Sequence, residues 1–397
     1  MKSLSILGIF LNNEMRTGAN RRYLELMESL AEKGCRVAVI MNTRLAYEPR
    51  HFRRVDITVN YVRKGFPPTS FLFKKGIRDN FPLIASELSS SGMDRVDWIH
   101  VHGDIHFPSA LYLKHRLSAK LFFAFRCNDI TRAKLLRKYR AYTPREYALS
   151  FAYNAKDRLR EMSIARHSDL ITFQNSLDRD IFLKRVRFAE RRVRTVIIPG
   201  NIGLPRFTPD TQDVNRSRSV RSLVYVGSLS LSKGLQNLLE ALAILKKRGF
   251  AELRLSVLGK ISGDEKAFSL VKSLDIADMV SFEGYTMPFP FLERSDLMVY
   301  PTLYDAFPDT ILEALHTGCP VIASDIGGIP EILKYPELLF PLGDSQEIAN
   351  RIELCVRDTG FYGKVRALCQ ERALPFRFDW AERFLSHMHA FSDVPNE

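Results

Sequence analysis

The sequence has few cysteines, and they form no pattern that defines a disulfide framework or a metal site. The five are scattered over 397 residues, and no two of them form a C-x-x-C pair. An odd, scattered set favours a reducing compartment and buried thiols. The disulfide-rich secreted classes are therefore excluded.

Long apolar runs are also missing. A membrane-spanning helix needs about 20 predominantly apolar residues. The N-terminal "MKSLSILGIF" combines a lysine with a shorter apolar run, and no small-residue cleavage site follows it. We interpret this segment as a first β-strand and expect a cytoplasmic protein.

Acidic residues are scarce in the first half of the chain. Residues 1–200 contain 37 Lys and Arg against 19 Asp and Glu, whereas residues 201–397 contain 21 against 26. The densest basic stretch, residues 131–162, interleaves Lys and Arg with Tyr and Phe. It is interpreted as a solvated helical face or as a contact with an anionic membrane surface. A nucleic-acid backbone is a third possibility for such a stretch, but we expect no nucleic-acid partner.

What the sequence does contain is a recurring strand, loop and helix pattern. Apolar strand candidates such as "SLSILGIF", "DWIHVHG", "LVYVGS" and "LMVYPT" alternate with segments of helical periodicity. Periodicity stops over residues 201–222, which resemble an interdomain linker. The fold class is therefore α/β, with two doubly wound, parallel-sheet, Rossmann-like domains at residues 1–205 and 206–377. Ligands are expected beyond the carboxyl ends of the strands, in a cleft between the domains.

One stretch places two carboxylates around a strand-to-helix turn. In "YPTLYDAFPDTILEALHTGCPVIASD", Asp305 precedes a predicted helix, Pro308 lies in its first turn, and Glu313 follows about one turn further on. Amides at a helix start attract anions, and carboxylates accept hydrogen bonds from hydroxyl groups, so the pattern suits a sugar-bearing ligand. On the local pattern alone, Asp305 as a turn cap and Glu313 as a solvated helix residue explain it equally well.

The longer string "DAFPDTILEALHTGCPVIASDIGGIPEIL" resembles the donor-site signature of the retaining nucleotide-sugar glycosyltransferases of family 4, which have the GT-B fold. The resemblance implies that Asp305 contacts the donor sugar, that amides near Phe307 and Pro308 contact the sugar or diphosphate, and that Glu313 holds the ribose hydroxyls. The family usually has Glu and Gly where this chain has Asp305 and Ala306.

A second segment, "VYVGSLSLSKGL", resembles the element of that family that binds the diphosphate. Lys233 matches the family's lysine, and Ser228 stands at the position of its arginine. The implied catalytic residues are Asp305, Lys233 and Arg126. The implied donor-binding set is Gly18, Gly227, Ser228, Lys233, Tyr285, Asp305, Ala306, Phe307, Pro308, Thr310 and Glu313.

The first half resembles the acceptor domain of the same family. "MRTGANRRYLELM" matches its glycine-rich loop with only Gly18 of the usual pair, and Arg126 occupies a position where the family often has a histidine. Candidates on the acceptor side are His102, Asn128 and Asp129. The final helix, residues 378–397, is expected to cross back onto the first domain.

We predict no metal site and no cofactor. His100, His102 and His106 lack a Cys or carboxylate that completes a ligand set, so cleft or core histidines are favoured. The D-x-D at Asp178 and Asp180 follows a predicted strand, where acids that cap a helix are expected.

The resemblance implies a retaining hexosyltransferase that moves a sugar from a UDP- or GDP-sugar to a hydroxyl of a saccharide or lipid-linked saccharide. Cell-surface polysaccharide, lipopolysaccharide or glycolipid synthesis, at the inner face of the cell membrane, is the expected setting. The alternatives are a GT-B-like binding or scaffold protein of weak or no activity and a nucleotide-sugar epimerase.

Overall fold

The computed structural model describes most of the chain, including nearly all of the second predicted domain. The described residues are 3–12, 18–60, 69–126, 129–138, 144–186, 194–201, 219–229, 231–260 and 265–392. Asn128 of the predicted acceptor-side set lies outside them, and so does the predicted boundary at residue 205, which stays a prediction.

The described part of the first half contains a seven-stranded sheet in which every neighbouring pair is parallel. Its spatial order is β3-β2-β1-β4-β5-β6-β7. The strands are β1 Ser5–Phe10, β2 Arg36–Asn42, β3 Arg53–Ile57, β4 Trp98–His102, β5 Lys120–Ala124, β6 Leu170–Phe173 and β7 Arg194–Ile197.

Helices connect every successive pair of these strands except β2 and β3, whose connection over residues 43–52 contains none. They are α1 Gly18–Glu32, α2 Thr69–Asp79, α3 Phe81–Ser90, α4 Phe107–Leu117, α5 Asp129–Lys138, α6 Pro144–His167 and α7 Ser176–Arg185. Gly34 follows helix α1 with a positive φ of 86°, which glycine adopts at little cost at the end of a helix.

A second, six-stranded sheet is also entirely parallel, with the order β10-β9-β8-β11-β12-β13. Its strands are β8 Ser222–Val226, β9 Arg254–Leu258, β10 Val280–Gly284, β11 Leu297–Tyr300, β12 Val321–Ser324 and β13 Leu339–Phe340. The helices that follow are α8 Leu235–Lys247, α9 Glu265–Ser273, α10 Phe289–Arg294, α11 Asp309–His316, α12 Ile329–Leu333, α13 Ser345–Arg357, α14 Thr359–Ala373 and α15 Trp380–Ser392.

By its internal contacts the chain divides into two compact units. Unit 1 comprises Met1–Asn128, Ala155–Ile198 and Asp379–Glu397, and unit 2 comprises Asp129–Asn154 and Pro199–Phe378. The C-terminal helix α15 thus belongs to unit 1, where Trp98 Nε1 donates a hydrogen bond to Ser392 Oγ at 3.0 Å.

The central strands of each sheet are buried. In β1 every residue is buried, and successive side chains enter two separate apolar clusters, one containing Leu7 and Ile9 and the other Ile6 and Phe10. Unit 2 has its own core around β8, β11 and β12. Continuous apolar strands are what a parallel sheet covered by helices on both sides demands.

The prediction of two doubly wound, parallel-sheet α/β domains is confirmed by these two sheets. Within the described residues, no helix is both long enough and apolar enough to cross a membrane.

Candidate functional site

The two charged residues singled out in the second half of the sequence form an ion pair in unit 2. Lys233 ends a short 3-10 turn, Leu231–Lys233, after β8, and Asp305 lies in the loop after β11. Lys233 Nζ is 2.6 Å from Asp305 Oδ2. Both side chains are partly shielded, with exposed fractions of 28% for Lys233 and 21% for Asp305. The pair lies at the carboxyl ends of neighbouring strands, where doubly wound sheets bind ligands.

Gly234 allows Lys233 to approach the end of β11. Its φ is +70°, and a Cβ at this position would lie 1.8 Å from the carbonyl oxygen of Pro301. The backbone N–H of Leu303 also donates to the carbonyl of Ser232 at 3.0 Å. The turn that carries Lys233 is therefore held directly against the β11 loop, backbone to backbone.

Gly327 allows a similar close backbone approach at Asp305. It has a φ of +61°, and a Cβ here would lie 1.9 Å from the carbonyl oxygen of Asp305. The neighbouring Gly328 N–H donates to that same oxygen at 3.2 Å. The glycine pair of the "DIGGIP" segment thus fixes the backbone of the carboxylate residue.

The loop after β8 is held in the same way. A Cβ at Gly259, after β9, would lie 1.8 Å from the Gly227 carbonyl oxygen. The buried Tyr225 hydroxyl donates to the Ser228 carbonyl at 2.8 Å, and burial raises the pKa of Tyr225 far above its usual value. The backbone of Gly227 and Ser228 is therefore fixed at the end of β8, the strand that precedes Lys233.

Helix α11 begins one residue later than the sequence predicts. Pro308 has an extended backbone, with φ −70° and ψ 117°, and precedes the helix, so its placement in the first helical turn is wrong. Ala306 and Phe307 are buried at 6% and 5% exposure. Thr310 and Glu313 are half-buried on the helix that follows. These residues form one continuous segment with Asp305.

Tyr300 is a site residue that sequence reasoning missed. Its hydroxyl donates to Asp305 Oδ2 at 2.9 Å and lies 3.4 Å from Lys233 Nζ. Burial first, and then the Asp305 carboxylate, raise the pKa of Tyr300 well above its usual value. In the sequence, a tyrosine that ends the apolar strand "LMVY" is interpreted as a core residue. Only its hydroxyl group, which needs a hydrogen-bond partner when buried, could have indicated a role in the site.

In unit 1 the predicted catalytic Arg126 follows β5 and is half-buried. Its Nη1 lies 3.4 Å from Asn20 Oδ1 on α1, and its side chain packs against Gly103, whose φ is +81°. Gly18 begins α1. Arg126, Gly18 and the end of β4 thus belong to unit 1, whereas the ion pair belongs to unit 2.

The histidines considered as a metal cluster lie close together in the chain: His100 and His102 are on β4, and His106 ends the 3-10 turn that follows it. His100 and His106 are buried, and neither ring makes a hydrogen bond within the described residues. Burial lowers the pKa of each to about 3, so both are neutral at physiological pH. Burial, with Arg126 adding to it, also lowers the pKa of His102.

Among the described residues, no group of three His, Cys, Asp or Glu side chains could hold a metal ion. Asp178 belongs to the start of α7, where its backbone N–H donates to the capping side chain of Asn175 at 2.7 Å. The residue that caps α7 is therefore Asn175, whose Nδ2 also donates to Asp178 Oδ2 at 3.0 Å, and the capping role expected for the acids of the D-x-D stays a prediction.

For two other predicted site residues, Tyr285 and Asp129, no contact among the described residues tests their roles. Tyr285 follows β10 and is 81% exposed. Asp129 begins α5, and its side chain is not described. Both stay predictions, as do the roles assigned to Asp305, Lys233, Arg126 and the rest of the donor-binding set.

Residues 209–373 match the family model described as glycosyl transferases group 1. An uncharacterized glycosyltransferase, YqgM of Bacillus subtilis, is 26% identical over 307 residues, which cover 74% of this chain and 75% of that protein. The O-antigen chain mannosyltransferase B of Escherichia coli is 24% identical over 57% of this chain and 63% of its own length. Other curated matches span about a third to a half of those relatives.

Solved structures resemble the whole chain. Sucrose-phosphate synthase from Thermosynechococcus elongatus superposes with a TM-score of 0.73, at 19% identity, over 98% of this chain and 100% of that one. Anabaena Alr3699/HepE, solved in complex with UDP-glucose, gives a TM-score of 0.69 at 17% identity, with 98% of this chain and 100% of that chain covered. The chain has the GT-B fold, and its residues 209–373 are similar to group 1 glycosyl transferases.

The backbone contact at Gly327 generates a first prediction. Gly327→Ala adds a methyl group where the Asp305 carbonyl already lies, whereas Gly318→Ala, at a similar φ of +68°, meets nothing within 4 Å. Gly318→Ala should cost only the left-handed backbone term of about 1–2 kcal/mol. Urea unfolding should show a clearly larger loss for Gly327→Ala. Equal losses would mean that the close approach does not constrain Asp305.

Proposed function

We propose that the protein is a retaining glycosyltransferase that moves a sugar from a nucleoside-diphosphate sugar, a UDP- or GDP-sugar, to an acceptor hydroxyl. The observation that carries the proposal is the Lys233–Asp305 pair at the carboxyl edge of the unit 2 sheet, inside the segment that matches the group 1 family. A cation beside a hydrogen-bond acceptor suits a ligand that combines a diphosphate with sugar hydroxyls.

In this proposal each member of the site has a distinct task. Asp305 accepts hydrogen bonds from the donor sugar, Glu313 holds the ribose hydroxyls, and Lys233 binds the diphosphate beside Gly227 and Ser228. As the glycosidic bond to the leaving group breaks, negative charge grows on the bridging oxygen. A lysine that already contacts the bound diphosphate when the bond breaks stabilises that charge without further reorganisation. Arg126 is the proposed second cation.

Retention is proposed to follow from attack on the same face as the departing diphosphate, which accepts the proton of the acceptor hydroxyl. Asp305 is already engaged by two donors on Oδ2, which suits a carboxylate that orients the sugar rather than one that forms a covalent bond to it. The proposal requires no metal ion and no other cofactor.

The proposed acceptor is a saccharide or lipid-linked saccharide at the inner face of the cell membrane. On α6, Leu159 and Met162 are 68% and 49% exposed, one turn apart, beside the exposed Lys156 and Arg158. Apolar side chains among basic ones suit an anionic bilayer surface. The O-antigen mannosyltransferase among the relatives is in keeping with polysaccharide synthesis. A scaffold protein or an epimerase is less favoured, because the family match and the relatives reported above are transferases.

Nucleotide binding tests the donor part of the proposal. In a thermal-shift titration with UDP, GDP and ADP, we expect one nucleotide to raise the melting temperature with or without magnesium. Glu313→Ala should abolish that shift, because the ribose contact is lost. Stabilisation that needs magnesium would contradict the metal-independent site, and no shift with any nucleotide would contradict the function.

Removing the ion pair tests catalysis. Asp305→Ala and Lys233→Ala should each lower turnover of the nucleotide sugar about 100-fold or more and leave the fold intact. Lys246→Ala is the matched control, since Lys246 also pairs with carboxylates, Asp275 and Asp278, but at the far end of α8. Turnover within twofold of wild type for both site variants would reject the assignment.

Liposome sedimentation tests the membrane part. The wild-type protein should sediment with anionic vesicles at low salt, and Leu159→Asp with Met162→Asp should abolish this by placing charge in the apolar patch. Leu374→Asp changes an equally exposed leucine, 61% accessible, in unit 2 and should bind normally. A wild-type protein that stays in the supernatant would argue for a soluble acceptor.

A further inference from the structure

We propose that Tyr300 is a positioning residue that holds Asp305 in place when a bound diphosphate draws Lys233 away from it. This inference rests on the proposed function, because it assigns Lys233 two successive partners, the Asp305 carboxylate and then a phosphate oxygen. Tyr300 is thereby added to the site. Its side chain is buried, and it acts on a ligand only through Asp305.

The geometry places two donors on one oxygen. Asp305 Oδ2 receives Lys233 Nζ at 2.6 Å and the Tyr300 hydroxyl at 2.9 Å. The other oxygen, Oδ1, has no hydrogen bond from any residue in the described part of the chain, and the side chain is 21% exposed. One oxygen is therefore anchored by the protein, and the other is available to a sugar hydroxyl.

Tyr300 is well placed to be the permanent anchor. It is the last residue of β11, it is only 3% exposed, and its backbone is paired in register with Ala323 of β12. A buried phenol has few alternative partners, whereas Lys233 is longer and more exposed. The tyrosine contact should therefore persist when the lysine moves.

Charge favours the same assignment. Burial and the nearby Asp305 carboxylate raise the pKa of Tyr300 well above its ordinary value, so the hydroxyl keeps its proton and acts as a donor at any physiological pH. A diphosphate competes with Asp305 for Lys233 because it carries more negative charge than one carboxylate. Without Tyr300, departure of the lysine would leave a half-buried carboxylate without an anchor, which is costly.

Comparing the dissociation constant of a nucleotide sugar with that of its nucleoside diphosphate distinguishes a positioning role of Tyr300 from a purely structural one. Isothermal titration would use UDP-glucose with UDP, and GDP-mannose with GDP. Tyr300→Phe should weaken binding of the recognised nucleotide sugar about tenfold and binding of its nucleoside diphosphate less than threefold, because Asp305 contacts the sugar. Tyr362→Phe removes an equally buried hydroxyl, which donates to the Asp296 carbonyl at 2.6 Å, and should change neither constant.

A double-mutant cycle in urea tests the contact without any ligand. Tyr300→Phe and Asp305→Ala should be non-additive in the free energy of unfolding, since each removes the same hydrogen bond. Additive losses would overturn the proposal. So would equal weakening of nucleotide sugar and nucleotide, or a Tyr300→Phe protein that binds like Tyr362→Phe. A wild-type protein that binds none of the four ligands would refute the proposed function itself and with it the role of Tyr300, even if the cycle is non-additive.

Discussion

The ion pair between Lys233 and Asp305 is the interaction on which the candidate site depends. The two residues are 72 positions apart in the chain, and their side chains meet at 2.6 Å. They meet because Gly234 and Gly327 let three strand-end loops approach one another at backbone distance, closer than any side chain would allow. The glycines are therefore as much a part of the site as the charged groups, although neither carries any chemistry.

The charged groups of the candidate residues are arranged differently in the two units. In unit 2 a lysine and a carboxylate offset each other, and a buried tyrosine shares the carboxylate. In unit 1 the histidines near Arg126 have pKa values well below the usual range, with burial as the main cause. They are therefore neutral, and the positive charge near His102 comes from Arg126 and Arg22 rather than from imidazolium groups.

Much of this could be predicted from the sequence, since parallel strands buried on both faces are continuous apolar runs. Strand β3, "RRVDI", was missed because charged residues interrupt it and only Val55 and Ile57 are buried. The resemblance to the family 4 glycosyltransferases selected Lys233 and Asp305. Their contact with each other and with Tyr300 depends on strand order, which is a tertiary property. The close approaches at Gly234 and Gly327 could not be predicted either, because a glycine in a loop has the same letter whether or not a backbone lies against it.

The most direct test of the central claim is a crystal structure of the protein with the nucleotide sugar that it binds most tightly. The account predicts that Lys233 Nζ contacts a diphosphate oxygen, that a sugar hydroxyl donates to Asp305, and that Tyr300 still donates to the Asp305 carboxylate. A nucleotide sugar bound elsewhere, or bound here with the Lys233–Asp305 pair intact and no contact to either side chain, would contradict it.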